Sequence, residues 1–308
     1  MRIVVLGAGG LGGYFGARLA AAGNDVAFVA RGAHLAAIRE HGLVVESARG
    51  DLHLREVVAT DDPASLAPAD IVLFTVKLWD TETAAETVKP LLRPGTGVIS
   101  FQNGVHKEAV LSRILGADAV IGGTAQIGVA IARPGVLAHV GTMARLTFGE
   151  LDGKPSARTQ AFYDACVAAG IDTELTDDIN LKLWEKFVFL IAMAGATASM
   201  RSRLGPIRAN PQTRAFLIDL MREADAVGRA LGVALPANYL ETRTKAIEAL
   251  PAEMTASMQG DLSRGNKLEV RWLNGKVVEL GAQVGVPTPL NRAVCDVLAL
   301  YADGAPTG

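Results

Sequence analysis

Short unbroken apolar runs mark the first half of the chain, and apolar positions at helical spacing mark the second. Residues 3–6 form one run that leads into glycines. Residues 13–22 read as a small-residue helix, and residues 26–30 form a second run ending at Arg31. Such runs, bounded by turn formers, predict strands buried on both faces, as in parallel sheets. Further runs at 70–76, 97–101 and 119–123 continue the series, with a helix over 80–92 and a turn at Pro94-Gly95. Residues 43–46 and 52–58 predict a hairpin, and 136–140 with 145–148 an antiparallel pair closing the sheet. From about residue 177 helical periodicity takes over, in segments 180–200, 212–231, 238–250, 252–262, 266–284 and 289–301. Pro211, Pro236, Pro251, Pro287 and Pro289 fall between these segments, where helix starts tolerate proline. The pattern predicts an α/β fold: an N-terminal Rossmann-type domain over residues 1–175, then an all-helical domain over residues 176–308.

The glycines give the first domain its chemistry. Gly7-Ala8-Gly9-Gly10-Leu11-Gly12 has the G-x-G-x-x-G spacing between a strand and a helix, the setting in which that spacing cradles a dinucleotide. Gly7 allows the tight turn, Gly9 lets the backbone approach a pyrophosphate, and Gly12 lets the helix pack on the strand. The helix N-terminus adds N–H donors and partial positive charge. Arg31 stands where an NAD site usually carries an acid, and the nearest acid, Asp25, precedes the second strand. A guanidinium there accommodates a ribose 2′-phosphate, which points to NADP(H). The alternative is a solvated surface arginine.

Composition narrows the classes. A length of 308 residues allows two cored domains, with half the residues hydrophobic and a fifth charged. A net charge of −2 gives no electrostatic footprint for nucleic acid or an anionic membrane. Cys166 and Cys295 make no disulfide framework, and five scattered histidines show no metal-ligand spacing, so no metal is expected. Five glycines between Gly7 and Gly13 interrupt what could pass for a signal peptide. The apolar run 187–198 falls short of the ~20 residues needed to span a bilayer. A cytoplasmic enzyme is expected, and the helical domain offers apolar surface for a homodimer.

Four further constellations could carry chemistry. Lys77 follows a predicted parallel strand, and Gln102-Asn103-Gly104 follows another; the crevice at such strand ends is where open sheets bind ligands. A surface lysine and an Asn-Gly turn are the plain readings. Lys186 opens a helical stretch apolar almost all round, where desolvation would make it a better proton donor, or where it snorkels. Ser257 to Asp261 and Glu269 complete the set, Glu269 reading as a helical charge.

Taken in order, these motifs resemble the ketopantoate reductase (2-dehydropantoate 2-reductase) family along essentially the whole chain. The likeness rests on the glycine loop with Arg31, Val76-Lys77-Leu78-Trp79, Gln102-Asn103-Gly104 and Trp184-Glu185-Lys186. Ser257-Met258 through Asp261, Glu269 with Asn274-Gly275, and Gly285-Val286-Pro287-Thr288-Pro289 complete it. The resemblance implies NADPH-dependent reduction of a 2-keto acid in coenzyme A (pantothenate) biosynthesis. Lys186 would protonate the developing alkoxide, and Glu269 would hold substrate and lysine. Ser257 would bind the substrate carboxylate, with Asn103 and Lys77 between cofactor and substrate. The chain departs from the family where asparagines follow the lysine: Leu190 and Ala194 stand there, with a third replaced near Leu204. That leaves room for a keto acid with a more apolar side chain, and outside enzymes for an NADP(H)-binding sensor, which would need neither Lys186 nor Glu269.

Overall fold

The computed structural model describes residues 1–306. The chain divides into two compact units, residues 1–102 with 106–180 and residues 103–105 with 181–308. The first is built on one sheet of ten strands. These are β1 (Arg2–Leu6), β2 (Asp25–Val29), β3 (Leu43–Ser47), β4 (Leu52–Leu54) and β5 (Val58–Thr60), then β6 (Ile71–Phe74), β7 (Gly97–Ser100), β8 (Val120–Arg133), β9 (Val136–Glu150) and β10 (Asp172–Leu175). Helices α1 (Gly10–Ala21), α2 (Gly32–His41), α3 (Thr81–Val88), α4 (Lys107–Leu115) and α5 (Ala157–Ala168) connect them.

Strands β5-β2-β1-β6-β7-β8 lie side by side and run parallel. Numbered along the chain, their spatial order is 3-2-1-4-5-6, that of the doubly wound dinucleotide folds. The order reverses between β1 and β6, which opens a crevice at the carboxyl ends of those two strands. Side chains alternate between two cores. Ile3, Val5, Ile71 and Leu73 face the side that carries Phe15 and Phe162. Val4, Leu6, Val72 and Phe74 face the side that carries Ala85 and Leu111. Burial on both faces explains why these strands read as continuous apolar runs.

The outer part of the sheet departs from the expected pattern. Residues 136–140 and 145–148 do not pair with each other; they belong to one strand, β9, which pairs antiparallel with β8. Two features conceal this in the sequence. Gly141 has φ +77°, and the ladder shifts register between Ile127 and Gly128, so β9 reads as two pieces. The outer half of β8, residues 126–133, is largely solvent-facing and lacks a buried run. Residues 52–58 also divide: β4 completes the hairpin with β3, whereas β5 crosses to pair with β2.

The second unit is helical: most of α6 (Ile179–Ser199), then α7 (Leu204–Ala209), α8 (Pro211–Ala230), α9 (Tyr239–Glu248), α10 (Ser257–Ser263), α11 (Asn274–Val284) and α12 (Pro289–Leu298). Residues 191–198 of α6 are all buried, so this helix is apolar all round because it forms the core of its unit. Pro211 and Pro289 occupy the first turns of α8 and α12. Asn210 caps α8 by accepting the amides of Gln212 and Thr213 at 2.9 and 3.2 Å. Glu223 accepts the amides of Leu290 and Asn291 at the start of α12, both at 2.9 Å. No described helix is long and apolar enough to cross a membrane.

The segment 266–284 is helical only from Asn274. Before it, the Asn266 amide donates to the Asp261 carboxylate at 3.2 Å, and the Leu268 N–H donates to the Ala302 carbonyl at 3.0 Å. Glu269 therefore sits in a turn and is 7% exposed, rather than on a solvated helical face. Residues 252–256 are likewise irregular, and Ser257 is the first residue of α10.

Candidate active site

Two sets of candidate residues stand out, one in each unit. In the first unit a cleft of about 390 Å³ opens at the point where strand order reverses. Leu6, Gly7, Ala8, Gly9, Arg31 and Val76 are among the residues that line it. Gly7 has φ +98°, a conformation that suits only glycine, and its turn is held by the Thr75 hydroxyl donating to the Gly7 carbonyl at 2.8 Å. Gly12 faces the same threonine: a Cβ there would lie 2.2 Å from Thr75 Oγ1 and 2.5 Å from the Gly7 oxygen. A Cβ on Gly9 would meet nothing within 4 Å. Gly9 caps α1 without a side-chain hydrogen bond, so the first turn of α1 presents its N–H groups to a ligand. A pyrophosphate fits these features.

The remaining loop positions are used differently. The Ala8 side chain is buried, and its N–H donates to the Val29 carbonyl at 2.9 Å. Gly10 lies against the backbone of β8, and Leu11 is half-buried behind the loop. Arg31 caps α2, just beyond β2, with its side chain 74% exposed and 3.3 Å from the Asp80 carboxylate. Asp80 had no sequence signal as a cleft residue, nor had His34, Thr83, Thr87 or Ile131, all of which line it. A pair this exposed is worth only ~0–1 kcal/mol, so the guanidinium can exchange Asp80 for a phosphate at little cost. Lys77 lies exposed beyond β6, with Nζ 5.5 Å from the centre of the Trp79 ring.

Gln102 is structural. Its Oε1 accepts from Ser100 at 3.0 Å, and its Nε2 donates to the Val76 carbonyl and the Thr81 hydroxyl, both at 2.9 Å. This buried amide fixes the chain at the end of β7, immediately before Asn103 and Gly104 (φ +89°).

In the second unit Asn103, Lys186 and Glu269 meet. The Lys186 ammonium donates to Asn103 Oδ1 at 2.9 Å, and Asn103 Nδ2 points to Glu269 Oε2 at 3.5 Å. An ammonium, an amide and a carboxylate thus form a short polar chain, with Glu269 buried and the other two half-buried. The arrangement places a cationic proton donor beside an acceptor that orients it and an anion that balances its charge. Helix α6 presents Lys186 with Leu190 one turn on and Ala194 two turns on, Ala194 being fully buried. Ser257 is exposed, and no hydrogen bond ties its side chain to the trio.

Comparison with known proteins matches both units. A family model described as ketopantoate reductase PanE/ApbA covers residues 3–153, and its C-terminal counterpart covers residues 178–302. A 2-dehydropantoate 2-reductase of Mesorhizobium japonicum is 33% identical over 96% of this chain and 95% of its own length. The crystal structure of a PanE/ApbA family ketopantoate reductase from Ralstonia eutropha JMP134 aligns with a TM-score of 0.90 at 32% identity, over 98% of each chain. That of a 2-dehydropantoate 2-reductase from Geobacter metallireducens aligns at 0.91 and 30% identity, over 97% of this chain and 99% of its own.

Proposed function

The chain belongs to the ketopantoate reductase PanE/ApbA family, an oxidoreductase family acting on CH–OH groups, and we propose that it reduces a 2-keto acid with NADPH, 2-dehydropantoate first among them. The observation that carries the reading is the contact of Lys186 with Asn103, backed by Glu269. A reduced nicotinamide supplies the hydride that C2 of the keto acid accepts. As C2 takes up that hydride, its carbonyl oxygen gains negative charge, and Lys186 donates a proton from Nζ to it. Asn103 holds Nζ in place through its carbonyl oxygen, which limits the reorganisation needed at the moment of transfer. Glu269 accepts from the Asn103 amide and so keeps that amide's carbonyl oxygen turned toward Nζ. Ser257, at the start of α10, and Lys77 are assigned to the substrate carboxylate and the polar shell.

Toward the cofactor, the Gly7–Gly12 turn and the N-terminus of α1 hold the pyrophosphate, and Arg31 holds the 2′-phosphate. A second reading keeps the reaction and changes the side chain. Leu190 and Ala194 follow Lys186 along α6 with no hydrogen-bonding group, which favours a 2-keto acid with a more apolar side chain. Incubation with NADPH deuterated at the reactive nicotinamide carbon tests the chemistry common to both. The expected product is a 2-hydroxy acid with deuterium at C2; a product without it, or none from any 2-keto acid, contradicts the proposal.

A further inference from the structure

The glycine turn between β1 and α1 is met from one side by the long arm formed by β8 and β9. A Cβ at Gly10 would lie 2.7 Å from the Val129 carbonyl oxygen, so the strand backbone rests on the first residue of α1. His34, in the first turn of α2, joins the turn to the far end of that arm. Its Nδ1 accepts the N–H of Gly135 at 3.0 Å, and its Nε2 lies 2.8 Å from the Ala8 carbonyl oxygen. A ring nitrogen that accepts an amide hydrogen carries none itself, so the ring hydrogen sits on Nε2 and is donated to Ala8. Both partners are anchored in turn: the Ala8 N–H donates to the Val29 carbonyl, and the Gly135 carbonyl accepts from Val44, each at 2.9 Å. A single neutral imidazole therefore links the glycine turn to the tip between β8 and β9.

His34 lines the cleft, yet each ring nitrogen is engaged by the protein's own backbone. To contact a phosphate, the ring would have to give up one of these bonds. We propose that His34 is a positioning residue that holds the Gly7–Gly12 turn in its pyrophosphate-binding shape by tying the Ala8 carbonyl to the Gly135 amide. The inference rests on the dinucleotide reading of this cleft and adds a residue that the glycine spacing does not contain. It has a specific consequence. The pyrophosphate is common to NADPH and NADH, so loss of His34 weakens both by the same factor, whereas a ligand of the 2′-phosphate would discriminate between them.

The test is fluorescence titration of the full chain with NADPH and with NADH, for wild type, His34→Ala and His34→Gln. A glutamine amide offers one donor and one acceptor, as the neutral ring does. Expected is a loss of about tenfold for both nucleotides in His34→Ala, the scale of two lost hydrogen bonds, with most of it recovered in His34→Gln. If His34→Ala does not fold, His34→Phe, which keeps a ring without nitrogens, carries the same comparison. Unchanged binding in the Ala or Phe variant overturns the proposal alone, and a loss confined to NADPH overturns it in favour of direct contact with the 2′-phosphate. A wild-type protein that binds neither nucleotide removes the dinucleotide reading and this proposal with it.

Discussion

At the scale of single residues, Arg31 and Lys186 are the groups whose replacement should change cofactor choice and turnover most. Among the described residues, Arg31 is the one cation lining the cleft, and its only ion-pair partner is Asp80, at 3.3 Å. Arg31→Asp puts a second carboxylate where the 2′-phosphate would lie, so titration should show NADPH affinity falling far more than NADH affinity. Equal losses would remove Arg31 from 2′-phosphate recognition. Lys186→Ala deletes the proposed proton donor and leaves the buried residues 191–198 of α6 unchanged. Turnover should fall by at least ~100-fold, the range seen on losing a general acid, with NADPH affinity unchanged. Turnover near the wild-type value would take Lys186 out of the mechanism. Both residues stand out in the sequence because Arg31 closes one apolar run and Lys186 opens another; the residues beside them, Asp80 for Arg31 and Asn103 for Lys186, lie 49 and 83 positions away in the chain.

At the scale of elements, parallel strands buried on both faces announce themselves, and elements with one wet face do not. β1, β2, β6 and β7 are legible as apolar runs because helices cover them on both sides. The outer half of β8 faces solvent, and Gly141 bends β9, so their pairing is set by tertiary contact rather than by local pattern. The turn carrying Glu269 fails for a related reason. Its residues have helical spacing, but the Leu268 amide finds its partner at Ala302, a long-range bond that no local window contains. β6 illustrates how such ties stabilise an element. Asp70, just before it, accepts the Arg2 amide at 2.8 Å and also pairs with Arg93. That backbone hydrogen bond, reinforced by the Arg93 guanidinium, holds the Asp70 carboxyl below its ordinary 3.8 despite partial burial. A carboxyl whose folded value is depressed stabilises the fold above its unfolded value and loses that contribution as pH falls through the folded value. Asp70→Asn should therefore lower Tm modestly at neutral pH, with the gap to wild type closing as pH drops below 3.8. A gap that persists unchanged in acid would assign the effect to packing.

For the whole molecule, the two candidate sets fall in two compact units. One carries the glycine turn, Arg31 and His34; the other carries Asn103, Lys186 and Glu269. Asn103 follows the sheet in sequence yet groups with the helical unit, so the residue that orients Lys186 comes from the end of a sheet strand. The division explains why cofactor class was easier to read than substrate. Phosphate recognition uses glycine spacing and a helix start, which are local, whereas the residues proposed to meet the keto acid are scattered through the helices. The most direct test is kcat/KM with NADPH across a panel of 2-keto acids that includes 2-dehydropantoate and analogues with larger apolar side chains. Turnover should be confined to 2-keto acids, with 2-dehydropantoate or an apolar analogue preferred; no oxidation of NADPH with any member of the panel would contradict the proposed reduction.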